Sequence, residues 1–247
     1  MVTAVSLCVG IQTLVVAMGR EAVRLMRDMG FNILVLPGGT RMSDFWSAGS
    51  AEQDMPQECG EKLANSRAIT VQHLVARLQR KVQWRDRSVL LTGVLPVAPT
   101  GHRAPMIQPI PRGQVHVGYG QASALGVRPG DVVTFPGPEG RSFVVAEVPD
   151  EPRGSVHDIR ICGHLADVQE ALGLQGRINE IQALSCMCEG GREMARLGRI
   201  REELQSILPG TQVTEFQSIA VARAETRSML NGYGAIVIPG VLALCAV

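Results

Sequence analysis

The sequence predicts an α/β (α+β) domain with an inserted small β unit, flanked by N- and C-terminal transmembrane helices. Three observations predict it. Strand-like and helix-like patterns alternate through the second half of the chain. Two Pro/Gly turns, Pro129-Gly130 and Pro136 to Gly140, bracket a short apolar-rich stretch. The apolar excess of a 247-residue chain that is 45% hydrophobic, with mean hydropathy +0.12, is concentrated at its two ends.

Residues 1–19 contain no charged side chain, and neither do residues 228–247. A helix needs about 20 mostly apolar residues to cross the hydrocarbon core. The first segment is therefore read as transmembrane helix 1 and the last as transmembrane helix 2, each cut short where the sequence stops. A secretory signal peptide is the competing reading of the first segment, but it requires a basic residue before the apolar run, and none is present. Gly232, Gly234, Pro239 and Gly240 weaken a water-exposed helix yet are tolerated in a membrane. Tyr233 stands where an interfacial anchor is expected. Arg20, Arg24 and Arg27 favour a cytoplasmic position for the inner flank, whereas a large folded domain translocates regardless of charge. The orientation stays open at this level.

Between the ends, residues 20–29 interleave Ala22, Val23, Leu25, Met26 and Met29 with charges, the pattern of an amphipathic stalk. Gly30 ends it. Residues 30–217 are then expected to form the core domain, which the resemblance given below implies is extracytoplasmic. Phe31 to Leu36 reads as a strand stopped by Pro37-Gly38-Gly39. Residues 40–66 read as an ordered loop with short helices. Ile69 to Gln79 has helical spacing. Val89 to Leu95 is a strand, followed by a Pro-rich connection from Pro96 to Pro111. Val115 to Gly118 is a strand and Gln121 to Leu125 a short helix. The β unit, 126–148, begins with a Pro-Gly turn of type II, in which Gly130 supplies the positive φ. Strands are expected at Val132 to Phe135 and Arg141 to Val148, at Asp158 to Cys162, at Ile178 to Leu184, and at Gln212 to Phe216. Helices are expected at Leu165 to Leu172 and Arg192 to Leu208. Residues 218–227 form a second stalk helix leading into the last apolar segment.

Lys and Arg number 24 against 23 Asp and Glu, so the charge balance gives no reason to expect nucleic acid as a partner. No phosphate-loop, zinc-protease or nucleophile-elbow motif occurs. No catalytic, cofactor-binding or metal site is assigned, and the chain is not expected to be an enzyme. Of six cysteines, Cys8 and Cys245 lie in the apolar ends. Cys186-Met187-Cys188 lacks the second ligand pair that zinc requires. Cys59 or Cys162 bridging to Cys186 or Cys188 is left open. His157-Asp158 and His164 raise an acid/base reading, against the commoner reading of isolated histidines as surface or hydrogen-bonded groups. Asp44, Trp46 and Trp84 are read either as a partner surface or as the edge of the core.

The order of these elements resembles the MacB/FtsX-like permeases of ABC transporters. The residues that carry the resemblance are Gly30 to Val35, Leu125 to Val133, Phe143 to Val148, Asp158 to Ile161 and Ile178 to Leu184. The resemblance implies a multi-pass protein of the cell inner membrane with its main domain outside the cytoplasm. It implies an ATP-binding ABC subunit as partner, which would hold the ATP, so no cofactor is expected on this chain. It also implies a second permease copy or paralogue, contact with the lipid bilayer, and room for an accessory extracytoplasmic protein. Because that family has further membrane helices, the chain is expected to be a fragment. The alternative is a membrane-tethered extracytoplasmic binding or sensor module without transport activity. A secreted hydrolase is a third reading, for which no catalytic constellation is found.

Overall fold

A computed structural model of the chain describes residues 30–66, 71–97, 106–135, 140–152, 156–185 and 201–216, with single helical positions between 9 and 21 and between 218 and 228. The chain divides into two compact units, Met1–Asn32 with Phe216–Val247, and Ile33–Glu215. In the first, Thr13 Oγ1 donates to the Val9 carbonyl at 2.8 Å, a helical back-bond, and Phe216 N donates to Asn32 O at 2.8 Å. Among the described residues, no helix is long and apolar enough to cross a membrane. Most of segments 1–19, 20–29, 218–227 and 228–247 lies outside the described residues.

Among the described residues, the second unit is built on one mixed sheet of nine strands. In chain order they are β1 (Ile33–Pro37), β3 (Val71–Trp84), β4 (Arg87–Val97), β5 (Gln114–Val117), β6 (Val132–Thr134), β7 (Ser142–Glu147), β8 (Arg160–His164), β10 (Glu180–Ser185) and β11 (Thr211–Glu215). Two further short strands, β2 (Met55–Pro56) and β9 (Arg177–Ile178), pair separately. The spatial order in the large sheet is β11-β1-β10-β3-β4-β8-β5-β7-β6. Most pairs are antiparallel, but β4 with β8 and β5 with β7 are parallel. β1 is buried at every position, as an unbroken apolar run between two neighbours should be.

Helix Leu165–Leu172 follows β8 directly and lies against the sheet. Leu165 of this helix packs with Leu78, and Val168 and Ala171 pack with Leu91, Val115 and Ile161. Gly93 makes the approach close, since a Cβ there would meet Val168 Cβ at 2.9 Å. Short helices Met42–Ala48 and Glu58–Ala64 interrupt the 40–66 segment, as expected. Gly130 adopts φ 95°, the conformation the type II turn requires.

Two expectations need correction. Residues 71–79 are not helical but belong to β3, the longest strand among the described residues; residues 69 and 70 lie outside the described residues. Val75, Ala76 and Leu78 are all buried, so both faces of this central strand are apolar in places and the period of two is lost. The β unit expected at 126–148 within the larger domain contains β6 and β7, which pair with each other and continue the main sheet through β5. Residues Val156–Ile159 form a 3₁₀ turn, and the strand begins only at Arg160.

Candidate functional site

Register partners in a sheet share a face, and alternate residues along a strand do so too. Gln79 on β3 pairs with Thr92 on β4, Thr92 with Cys162 on β8, and Cys162 with His116 on β5. One step along, Glu180 on β10 pairs with Arg77 on β3. Arg160 stands two residues before Cys162. The sheet therefore gathers Glu180, Arg77, Gln79, Thr92, Arg160, Cys162 and His116 on one face. The opposite face carries Leu78, Leu91, Ile161 and Val115, which the helix Leu165–Leu172 covers.

A cleft of about 310 Å³ opens over the polar face. Its buried side is formed by Arg77, Thr92, Arg160 and Cys162, with Val94. Ile107, Gln108 and Ile110, from the connection into β5, form one wall. His116, Glu147, His157 and Asp158 line its more exposed side.

The polar groups beneath the cleft are held by a buried network. Arg77 Nη1 donates to Glu180 Oε1 at 3.3 Å, and Gln79 Nε2 donates to Glu180 Oε2 at 2.5 Å. Asn179 interrupts β9 and β10 and fixes the register there. Its Oδ1 accepts from Gln79 N at 2.9 Å, while its Nδ2 donates to Ala51 O and Gln79 O. Arg77 Nε, Arg160 Nε and Gln79 Oε1 are buried with no hydrogen-bond partner among the described residues. Burial pushes the Arg160 guanidinium down from its ordinary value, and the Arg77 charge adds to this, with Glu180 and Cys162 opposing. Burial pushes the Cys162 thiol up, with Arg77 and Arg160 pulling it back. The thiol therefore stays protonated at neutral pH, which makes it a poor nucleophile. What the cleft offers a ligand is guanidinium N–H donors at the end of an apolar-walled recess.

The residues singled out in the sequence fall in different places. His157 and Asp158 line the cleft. His164 does not; its Nδ1 accepts from Ala166 N at 3.2 Å and caps the helix that follows. Trp84 is core: its Nε1 donates to Thr134 O at 2.9 Å and its ring lies 4.9 Å from that of Phe135. Trp46 is exposed, its ring 5.1 Å from Phe45, and Asp44 pairs with Arg41 at 2.6 Å. Cys59 and Cys162 are free thiols, while Cys8, Cys186, Cys188, Cys245 and His102 lie outside the described residues. Arg77, Gln79, Arg160 and Glu180 were not singled out by the sequence. Their signal, the alternation Arg77-x-Gln79-x-Lys81, becomes visible only once that segment is assigned as a strand.

A mixed sheet with one helix-covered face and one polar face under a cleft defines a fold class with solved examples. No family model matches the sequence, and no curated protein does. The crystal structure of the periplasmic region of MacB from Actinobacillus actinomycetemcomitans superposes with TM-score 0.52 at 13% identity, over 82% of this chain and 97% of that one. The extracellular domain of the noncanonic ABC-type transporter YknZ from Gram-positive bacteria gives TM-score 0.46 at 13% identity, over 74% of this chain and 100% of that one. The chain thus has the fold of the MacB periplasmic region.

Proposed function

We propose that the chain is the transmembrane permease component of an ABC transporter, with the unit Ile33–Glu215 outside the cytoplasm. The observation that carries this reading is the fold likeness to the periplasmic region of MacB, which spans 97% of that structure. The order of sequence motifs supports it from a separate direction, as do the uncharged segments 1–19 and 228–247, which have about the length a membrane helix needs. In this reading a partner subunit hydrolyses ATP, a second permease copy or paralogue completes the transporter, and the export or release of a substrate follows from movement of the outer unit. The stalks 20–29 and 218–227 transmit that movement, because a continuous helix is a stiff link across the interface.

The test is co-expression with an ATP-binding ABC subunit, followed by ATPase and transport assays in proteoliposomes. Ala224→Pro, which breaks the proposed second stalk, is expected to leave ATP hydrolysis running while transport is lost. Transport surviving that change would refute the rigid link, and failure to copurify with any ATP-binding subunit would refute the transporter. A tethered binding module is the second reading, favoured by the cleft lined by Arg160 and the buried Arg77.

A further inference from the structure

The cleft holds an unbalanced charge on its buried side. Two guanidinium groups, Arg77 and Arg160, line that side; among the described residues the Glu180 carboxylate lies behind them, and Glu147 and Asp158 stand on the exposed side. Arg77 is 8% exposed, and each arginine buries an Nε with no partner. A buried donor left unsatisfied is costly, and a charged one more so. The network around Glu180 does not remove this cost, because Gln79 takes one of its oxygens and Arg77 reaches the other through Nη1 alone. Two buried N–H groups, one on each arginine, therefore lack an acceptor among the described residues.

We infer that the cleft is a binding site for a small organic monocarboxylate, whose carboxylate lies against Arg77 and Arg160. Guanidinium forks match the planar, two-oxygen geometry of a carboxylate. One negative charge offsets the cation left over on the buried side after Arg77 pairs with Glu180. A phosphate dianion fits less well, because Glu147 and Asp158 on the exposed side would repel the second charge. Val94, Ile107 and Ile110 supply an apolar wall, and about 310 Å³ is room for a carbon body beyond the carboxylate. Glu147, 3.3 Å from His116 Nδ1, and Asp158 accept any hydrogen-bond donors that body carries. This site stands on the geometry of the unit Ile33–Glu215 alone and does not require the transporter reading.

The probe is 4-fluorobenzoate, followed by fluorine NMR line broadening with the purified full chain in a neutral detergent. Saturable broadening is expected, displaced by unlabelled benzoate and not by equal inorganic phosphate. Arg160→Gln is expected to weaken binding about tenfold or more, the usual effect of losing a hydrogen bond between charged groups. Arg160→Lys, which keeps the charge and loses the fork, should fall between the two. The absence of saturable broadening, unchanged binding in Arg160→Gln, or displacement by phosphate as effective as by benzoate would each overturn the assignment. The competition arm uses the unaltered chain, so it decides the ligand class even where Arg160→Gln does not fold.

Discussion

Gly93 on β4 lies directly under Val168, so closely that a Cβ on Gly93 would stand 2.9 Å from the Val168 Cβ and 3.1 Å from the Leu165 Cα. Its register partner on β8, Gly163, is also short of space, with Val168 Cγ2 at 3.4 Å from its would-be Cβ. Two glycines side by side thus form the seat on which the helix Leu165–Leu172 rests. Gly93→Ala is expected to destabilise the fold by about 1–3 kcal/mol through overpacking. Val168→Ala in the same chain should restore part of that loss, so a double-mutant cycle by urea denaturation should show coupling.

Asp167 ties the same helix to two distant segments. Its side chain, 3% exposed, meets Arg112 and Arg141 and accepts from Gly113 N at 2.7 Å. Arg112 also pairs with Glu170 at 3.0 Å. Asp167→Ala leaves both arginines half-exposed, so they can rehydrate, but it strips the Gly113 amide of its acceptor. A loss of about 2–3 kcal/mol is expected. Hydrogen exchange at the Gly113 amide should accelerate, a local signature that a general loss of packing would not single out.

The β3–β4 hairpin turns at Arg85 and Asp86, which have φ of 47° and 64°. A two-residue turn of this hand favours Asn-Gly, because left-handed backbone costs an ordinary residue about 1–2 kcal/mol. Arg85 is held partly by its guanidinium, 5.1 Å from the Trp84 ring centroid. Asp86→Gly is expected to stabilise the protein by about 0.5–1 kcal/mol, read as a rise in Tm. Arg85→Gly should gain less, because it also loses the contact with Trp84.

Burial raises the Cys162 thiol above its ordinary range. An acid whose pKa is raised in the folded state contributes stability that is complete below its unfolded pKa. That contribution is lost as pH rises through the folded value. Stability should therefore decline on the alkaline side, and Cys162→Ala should flatten the decline, whatever its effect at neutral pH. Burial also raises Cys59, so the double substitution should flatten the curve further. At neutral pH both thiols should react slowly with alkylating reagents.

Much of the fold was legible, because short apolar runs bounded by glycine and proline leave few alternatives. β1 (Ile33–Pro37), β4 (Arg87–Val97), the β6–β7 pair and the helix at 165–172 fall close to where the patterns place them. The segment Val71–Gln79 failed for a definite reason. Val71, Leu74, Val75 and Leu78 fall at helical spacing, yet they are buried from both sides of a central strand. That one misassignment hid the site, since Arg77 and Gln79 share a face only in a strand. Glu180 and Arg160 could not be joined to them from the sequence, because their meeting depends on sheet order rather than on chain proximity. Cys162 and His157-Asp158, noted separately, turn out to line one cleft.

Ile33 and Glu215 are register partners on neighbouring antiparallel strands, so the unit between them begins and ends at one spot. A load that spreads the two ends apart would break the β1–β11 hydrogen bonds one at a time, from Ile33↔Glu215 towards Pro37↔Thr211. A load that moves both ends together would break none of them.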